Sequence, residues 1–225
     1  MFYHRSKRAK YFFSSFLAIC LLFSHFSFLI LEEAVYYQRT SYLRKVYFER
    51  AAQRKSDQQK LQKIEERDRI LKAIKSYKPD LRSEKVSELT DIICEVGGDY
   101  NYDPIFLLAV IFTESSMRRT AVSSAGAMGL MQIRPFVGKD LAHETKVSWN
   151  GSDTLLDPGV NIKLGAHYLG KMFQRFNGDQ RLALEAYNNG PTLVKERVAA
   201  YGDFSSPYSQ RVFRTYEKLK MNAKI

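Results

Sequence analysis

The most informative segment of the chain runs from Thr113 to Pro135 and reads TESSMRRTAVSSAGAMGLMQIRP. It directly follows an apolar run, PIFLLAVIF, at residues 104–112. One carboxylate, Glu114, therefore closes an apolar segment, and a loop of small residues begins soon afterwards. Such small residues allow one stretch of backbone to approach another closely, which larger side chains would obstruct.

The segment before Glu114 predicts a helix. Asp103 followed by Pro104 is typical of an N-cap and a first helical residue, so the helix is expected to begin at Pro104. Residues three or four apart share one helix face, which places Glu114 on the same stripe as Leu107, Val110 and Ile111. A charged residue on a buried stripe is the anomaly of this sequence.

A carboxyl group among apolar side chains resists ionising, because desolvation disfavours the charged form and raises the pKa. Such a group keeps its proton near neutral pH and can act as a general acid toward a glycosidic oxygen. The structural alternative is that Glu114 only caps its helix or pairs with Arg118, four residues further on.

From Asp80 onward no segment alternates with period two, whereas helix start and stop signals recur, so the fold class is predicted as all-α. Ser83 is expected to cap a helix that the pair Gly97-Gly98 ends. A further helix should open at Asp157-Pro158 and end at Asn177-Gly178. The remaining helices are expected at residues 180–189, 192–200 and about 208–221.

The N-terminal third predicts a membrane anchor. Residues 1–10 form a basic tail, and residues 11–31, YFFSSFLAICLLFSHFSFLIL, carry no charged side chain over about the length needed to cross a bilayer. Four basic residues precede this span, and Glu32 and Glu33 follow it, so the N-terminus is expected in the cytoplasm. We therefore expect a single-pass protein of the cytoplasmic membrane with its globular part in the periplasm.

Residues 32–79 are predicted to form a charged helical stalk with a thin apolar stripe, ended by Pro79. A spacer is the simplest role. The stalk could also pair two copies in a homodimer or serve a secretion-type apparatus. Residues 80–225 would then form the globular domain.

Charge and composition exclude some classes of protein. The formal net charge is +11, but residues 1–79 contain 17 Lys/Arg against 7 Asp/Glu, whereas residues 80–225 contain 18 against 17. A nearly neutral globular part argues against nucleic acid as a partner. Neither cysteine nor any of the four scattered histidines has metal-ligand spacing, so no metal or other cofactor is expected.

Two motifs resemble a known family. Glu114-Ser115, then Ala121-Val122-Ser123, then GAMGLMQI at residues 126–133, resemble the signature of the soluble lytic transglycosylase (SLT) catalytic domain, glycoside hydrolase family 23. A second family motif, Ala-Tyr-Asn-x-Gly, stands at residues 186–190. The resemblance covers roughly residues 84–220 and implies a lysozyme-like helical fold related to goose-type lysozyme.

The resemblance also implies roles for particular residues. Glu114 would be the only catalytic acid, which gives a proton to the leaving oxygen and later takes one back. Most glycosidases need a second carboxylate, but in this family the N-acetyl group of the muramic acid replaces it and the product is a 1,6-anhydro sugar. Asp153 and Asp157 remain open as a second carboxylate, although Asp157 before Pro158 is better explained as a cap.

Substrate-binding roles carry over in the same way, to Ser123, Gln132, Tyr187, Asn188 and Tyr208. Ser123 would position the N-acetyl group, or simply belong to a turn. Gln132 would bind the glycan, and Tyr187 and Asn188 would shape the floor of the cleft.

The family's tyrosine near the last helix points its hydroxyl at the catalytic glutamate. Tyr208 is the best match here, with Tyr201 and Tyr216 as alternatives, because the usual valine after the tyrosine is missing. Arg134 is another departure, since the family usually has methionine or threonine before the proline.

The resemblance implies a peptidoglycan lytic transglycosylase that cleaves the β-1,4 bond between N-acetylmuramic acid and N-acetylglucosamine. Two alternatives stay open. One is a lysozyme-type hydrolase of the same bond. The other is a non-catalytic wall-binding scaffold of a secretion or conjugation apparatus.

Overall fold

The computed structural model describes the backbone of residues 3–223 and the side chains of residues 21–223. The chain divides into two compact units, residues 1–61 and residues 62–225. In the described part of each unit, the regular secondary structure is helical. Two isolated β-bridges lie in one loop of the second unit. The predicted all-α fold class is confirmed.

The first unit consists of residues from one long helix, α1, which runs from Tyr3 to Tyr77 and ends two residues before Pro79. Most of the described apolar side chains in this first unit are exposed, among them Leu22, Phe23 and Phe26. Within the part of the chain whose side chains are described, no helix meets the length and hydropathy needed to cross a bilayer. The predicted span begins at residue 11, and the side chains of residues 11–20 are outside the described part of the chain.

The second unit begins with the last turns of α1, where Ile70, Ala73 and Ile74 are fully buried. Seven further α-helices follow: α2 (Ser83–Tyr100), α3 (Pro104–Ser115), α4 (Pro135–Thr145), α5 (Pro158–Arg175), α6 (Gln180–Asn189), α7 (Pro191–Tyr201) and α8 (Pro207–Asn222). A short 3-10 helix, Ser152–Leu156, precedes α5.

The core of the second unit surrounds α3. All nine residues of the apolar run 104–112 are buried, so this helix is covered on every side rather than along one stripe. Helix α8 packs along α3, and α2 packs against both α3 and α5. Because α3 ends at Ser115, its last turn brings Glu114 from the core to the edge of the domain.

The predicted ends of α2 are wrong in two respects. Ser83 is the first helical residue rather than the cap, and Arg82 precedes it with no side-chain cap. The helix also continues through Gly97-Gly98 and ends where Asn101 adopts a left-handed conformation, with φ 54°. Gly97 serves close packing instead, since a Cβ there would lie 3.0 Å from Cγ of Pro104.

The other predicted helix starts are confirmed. Asp103 accepts a hydrogen bond from the amide of Ile105, and Asp157 accepts one from the amide of Val160, each at 2.9 Å. Asn177 and Gly178 both have positive φ and end α5. Helices α6, α7 and α8 lie at the expected positions to within two residues.

Candidate active site

Residues 116–134 form the loop between α3 and α4, which we call the signature loop. Five of its residues have positive φ: Ser116, Met117, Gly126, Gly129 and Gln132. Gly129 has a φ of 79°, and a Cβ there would lie 2.3 Å from both Nδ2 of Asn161 and the carbonyl oxygen of Leu155. The motif therefore needs glycine at this position for both conformation and space.

Two buried side chains fix the signature loop from outside. Asn161 of α5 accepts from the amide of Met131 at 2.7 Å and donates to the carbonyls of Met128 and Leu155 at 3.0 and 2.9 Å. Tyr187 of α6 donates its hydroxyl proton to the carbonyl of Met131 at 2.8 Å. The loop is thereby tied to α5 and α6 beside the end of α3.

Glu114 lies on a cavity of about 450 Å³ bounded by the signature loop, α4, α5 and α6. Burial raises the pKa of its carboxyl group from 4.5 to about 7. A hydrogen bond from Tyr208 and the positive charge of Arg211 both lower this pKa without cancelling the effect of burial. Near neutral pH the carboxyl group is therefore balanced between its protonated and ionised forms.

The hydroxyl of Tyr208 donates to Oε1 of Glu114 at 2.5 Å, although 94 residues separate them in the chain. Tyr208 is almost fully buried in the first turn of α8. The two alternative tyrosines lie elsewhere, since Tyr201 is 72% exposed and Tyr216 donates to Asp103. Because Tyr208 occupies Oε1, the other carboxyl oxygen is the one available to a substrate.

Ser123, Gln132 and Asn188 line the same cavity. The Oγ of Ser123 accepts from the amide of Ala127 at 3.0 Å, so the serine closes a turn and still has a proton to donate. The side-chain amide nitrogen of Gln132 donates to the carbonyls of Ala121 and Gly129, which leaves its oxygen as the group free for substrate. Asn188 is exposed at the cavity wall.

Glu114 is the only carboxylate among the described residues that line this cavity. Asp157 is used as the cap of α5, and Asp153 is exposed in the 3-10 helix; neither lines the cavity. Both two-carboxylate mechanisms of glycoside hydrolysis require a second acidic group within roughly 5 to 10 Å across the scissile bond. The lining is thus suited to a mechanism with one protein carboxylate.

Sequence reasoning missed Asn161, Glu185 and Arg211. Asn161 could have been noticed, since it lies four residues before Gly165 on the buried side of α5. Arg211 lies with its guanidinium carbon 5.6 Å from the ring centre of Tyr208. Glu185, directly before the motif of α6, is fully buried, and nothing in the local pattern marks it.

The family model of the transglycosylase SLT domain matches residues 91–208, which include every residue described at the cavity. The chain belongs to the SLT domain family. Glu114 and the signature loop are thus parts of an SLT domain, and α8 enters the matched region with its first turn.

Similar proteins are found in a phage and in bacteria. A transglycosylase of Enterobacteria phage PRD1 is 37% identical over 133 residues, 59% of this chain and 44% of the relative. A membrane-bound lytic murein transglycosylase E of Buchnera aphidicola is 38% identical over 134 residues, 58% of this chain and 60% of the relative. The alignments thus span about half the length of these relatives.

One solved structure, a complex of a 70-kDa soluble lytic transglycosylase with bulgecin A, has a TM-score of 0.50 to this chain. It is 21% identical and covers 67% of this chain and 26% of that chain. At this identity the likeness shows the fold alone.

Proposed function

We propose that this SLT domain is a peptidoglycan lytic transglycosylase, which cleaves the β-1,4 bond between N-acetylmuramic acid and N-acetylglucosamine and leaves a 1,6-anhydro end. One observation carries the proposal: a half-buried carboxyl group with a pKa of about 7 lies in a cavity with no second carboxylate among its described lining. The similarity to a phage transglycosylase and to a lytic murein transglycosylase supports this activity.

In the first step, the protonated oxygen of Glu114 donates its proton to the glycosidic oxygen as the bond to the anomeric carbon breaks. The carbonyl oxygen of the substrate's own N-acetyl group attacks that carbon and takes the place of a protein nucleophile. Ser123, whose hydroxyl proton is free, is suited to orient the N-acetyl group. The carboxylate formed on Glu114 is stabilised by the Tyr208 hydroxyl and by the charge of Arg211.

In the second step, the C6 hydroxyl of the same sugar attacks the anomeric carbon and displaces the N-acetyl oxygen. Glu114 accepts the hydroxyl proton and returns to its starting form, so that no water is consumed. A pKa near neutrality suits both steps, because the same group must give and take a proton. The oxygen of Gln132 and the side chain of Asn188 are placed to bind the glycan in the cavity.

We further propose that residues 11–31 anchor the chain in the cytoplasmic membrane with the SLT domain on the periplasmic side. The support is the uncharged composition of these residues and the basic residues that precede them. The exposed apolar side chains from Leu21 to Leu31 agree with an apolar surrounding. The stalk acts as a spacer in this proposal, and a second copy or a secretion apparatus as its partner stays a prediction.

The test is a digest of purified peptidoglycan with the full chain in a mild detergent, followed by mass spectrometry of the products. We expect sugar ends lighter by one water than reducing ends, and loss of all products with Glu114→Gln. Reducing ends instead of anhydro ends would make the protein a hydrolase. Undiminished digestion by the Glu114→Gln variant would remove the mechanism, and no digestion by the unaltered chain would favour a wall-binding scaffold.

A further inference from the structure

Glu185 is a fully buried acidic residue that the proposed reaction does not use. It lies in the middle of α6, next to the Ala-Tyr-Asn motif, and it does not line the cavity around Glu114. A buried carboxyl group is costly unless hydrogen-bond donors satisfy it, so its partners indicate why it is there.

The donors to Glu185 come mainly from the first turn of α8. Its Oε1 accepts from the amide of Ser209 at 3.1 Å. Its Oε2 accepts from the hydroxyl of Ser206, the N-cap of α8, and from the side-chain amide of Asn189 at 3.3 Å. A carboxyl group at this position also complements the positive end of the helix dipole.

The two bonded serines bracket Tyr208. Ser206 lies two residues before it and Ser209 directly after it, and Oγ of Ser206 also accepts from the amide of Tyr208 at 3.3 Å. Tyr208 in turn donates its hydroxyl proton to Glu114. A chain of hydrogen bonds thus runs from the buried carboxyl group of α6, through the start of α8, to the proposed acid at the end of α3.

We propose that Glu185 is a positioning residue: by binding Ser206 and Ser209, it fixes the first turn of α8 so that the hydroxyl of Tyr208 reaches Glu114. The inference rests on the proposed role of Glu114 as the acid. Small displacements matter here, because a hydrogen bond of 2.5 Å weakens steeply when its donor moves or turns.

The expected consequence is a change in the pKa of Glu114. Three groups influence or face this carboxyl group: Tyr208 and Arg211 from α8, and Tyr187 from α6. Tyr208 and Arg211 both lower the pKa of Glu114, and the hydrogen bond from Tyr208 has the larger effect. When the first turn of α8 loosens, that effect weakens, and the pKa rises above about 7.

The perturbation is Glu185→Gln, which keeps the size of the side chain but replaces one oxygen with an amide nitrogen. The new NH₂ group faces a donor in either orientation of the amide: the backbone amide of Ser209 if it replaces Oε1, or the side-chain amide of Asn189 if it replaces Oε2. Two donors then face each other and one hydrogen bond is lost. The matched control is Glu144→Gln, an exposed glutamate whose partners, Lys171 and His167, do not line the cavity.

The measurement is a carbon-13 NMR titration of the Glu114 carboxyl group in the full chain in detergent, assigned by its loss in Glu114→Gln. We expect Tyr208→Phe to raise the proton affinity of Glu114 roughly tenfold to a hundredfold. Glu185→Gln should raise the proton affinity of Glu114 at least about threefold. The double variant should raise this affinity no further than Tyr208→Phe does alone. Glu144→Gln should leave the titration unchanged.

An unchanged titration in Glu185→Gln, or an effect that adds fully to that of Tyr208→Phe, would overturn the inference. If Glu185→Gln does not fold, Ser206→Ala removes one donor to Glu185 together with the acceptor of the Tyr208 amide, and it must raise the proton affinity of Glu114 in the same direction. The titration needs no turnover, so it tests the link through Glu185 even if the chain releases no anhydro sugars. In an active enzyme, the alkaline limb of the pH–rate profile should move with the titration.

Discussion

The burial of Glu114 should make the free energy of unfolding depend on pH, because the folded and unfolded chains bind its proton with different affinities. The carboxyl group has a pKa of about 7 in the folded chain against 4.5 as its ordinary value. Between these values the unfolded chain loses the proton and the folded chain keeps it. A raised carboxyl pKa therefore costs no stability below pH 4.5, and costs more as the pH rises toward 7.

The magnitude follows from the same two values. At about 1.4 kcal/mol per pKa unit, the raised pKa of Glu114 lowers the free energy of unfolding by roughly 3 kcal/mol at pH 8 and by almost nothing at pH 4. The substitution Glu114→Gln removes the charge while its amide oxygen can still accept from Tyr208. We expect the variant to be more stable than the unaltered chain by about 3 kcal/mol at pH 8 and nearly equal at pH 4.

Urea unfolding at the two pH values measures this difference. Trp149 is the only tryptophan of the chain and packs on the core of the second unit beside Gly138, so its fluorescence reports the unfolding of this unit. Effects of the substitution that do not depend on pH cancel when the two pH values are compared.

A stability difference that is the same at pH 4 and pH 8 within about 1 kcal/mol would contradict this prediction, since Glu114 would then ionise as freely in the folded chain as in the unfolded one. Glu144→Gln is the control with the opposite sign. Lys171 and His167 lower the pKa of Glu144, so its removal should cost stability at pH 8 rather than add it.

Three further predictions concern the surroundings of Glu114. Tyr208→Phe should move the alkaline limb of kcat/KM upward by roughly 1 to 2 pH units, because a hydrogen bond to a charged group contributes about 1.5–3 kcal/mol; a limb that stays in place in the pH–rate profile would contradict this. Gly129→Ala should lower the melting temperature far more than Gly126→Ala, since both have positive φ but only Gly129 has neighbours where a Cβ would lie. For Gly126→Ala the backbone cost alone is about 1–2 kcal/mol, and equal losses in the two variants would be the contrary result. Asn161→Ala should cost about 3 kcal/mol in urea unfolding, because three hydrogen bonds are lost, two to the signature loop and one to the carbonyl of Leu155; a cost below about 1 kcal/mol would show that the loop does not depend on Asn161.

Local patterns predict the helices well, because caps and breakers act on their own neighbours. Asp103 and Asp157 each bond to an amide two or three residues away, and such contacts can be inferred from the sequence alone. Gly97 shows where this reasoning fails. Gly97 packs against Pro104 across a turn. The sequence does not distinguish a glycine needed for close packing from one that ends a helix.

The sequence is enough to infer the all-α class, the helix that carries Glu114 near its C-terminal end, and the signature loop with its family. Which groups contact that carboxyl group is seen only in the folded chain. Tyr208 reaches it across 94 residues, and Glu185 reaches Tyr208 only through the start of another helix. The physical reason is that the pKa of Glu114 depends on burial and on donors from distant segments, and neither quantity exists until α3, α6 and α8 have packed together.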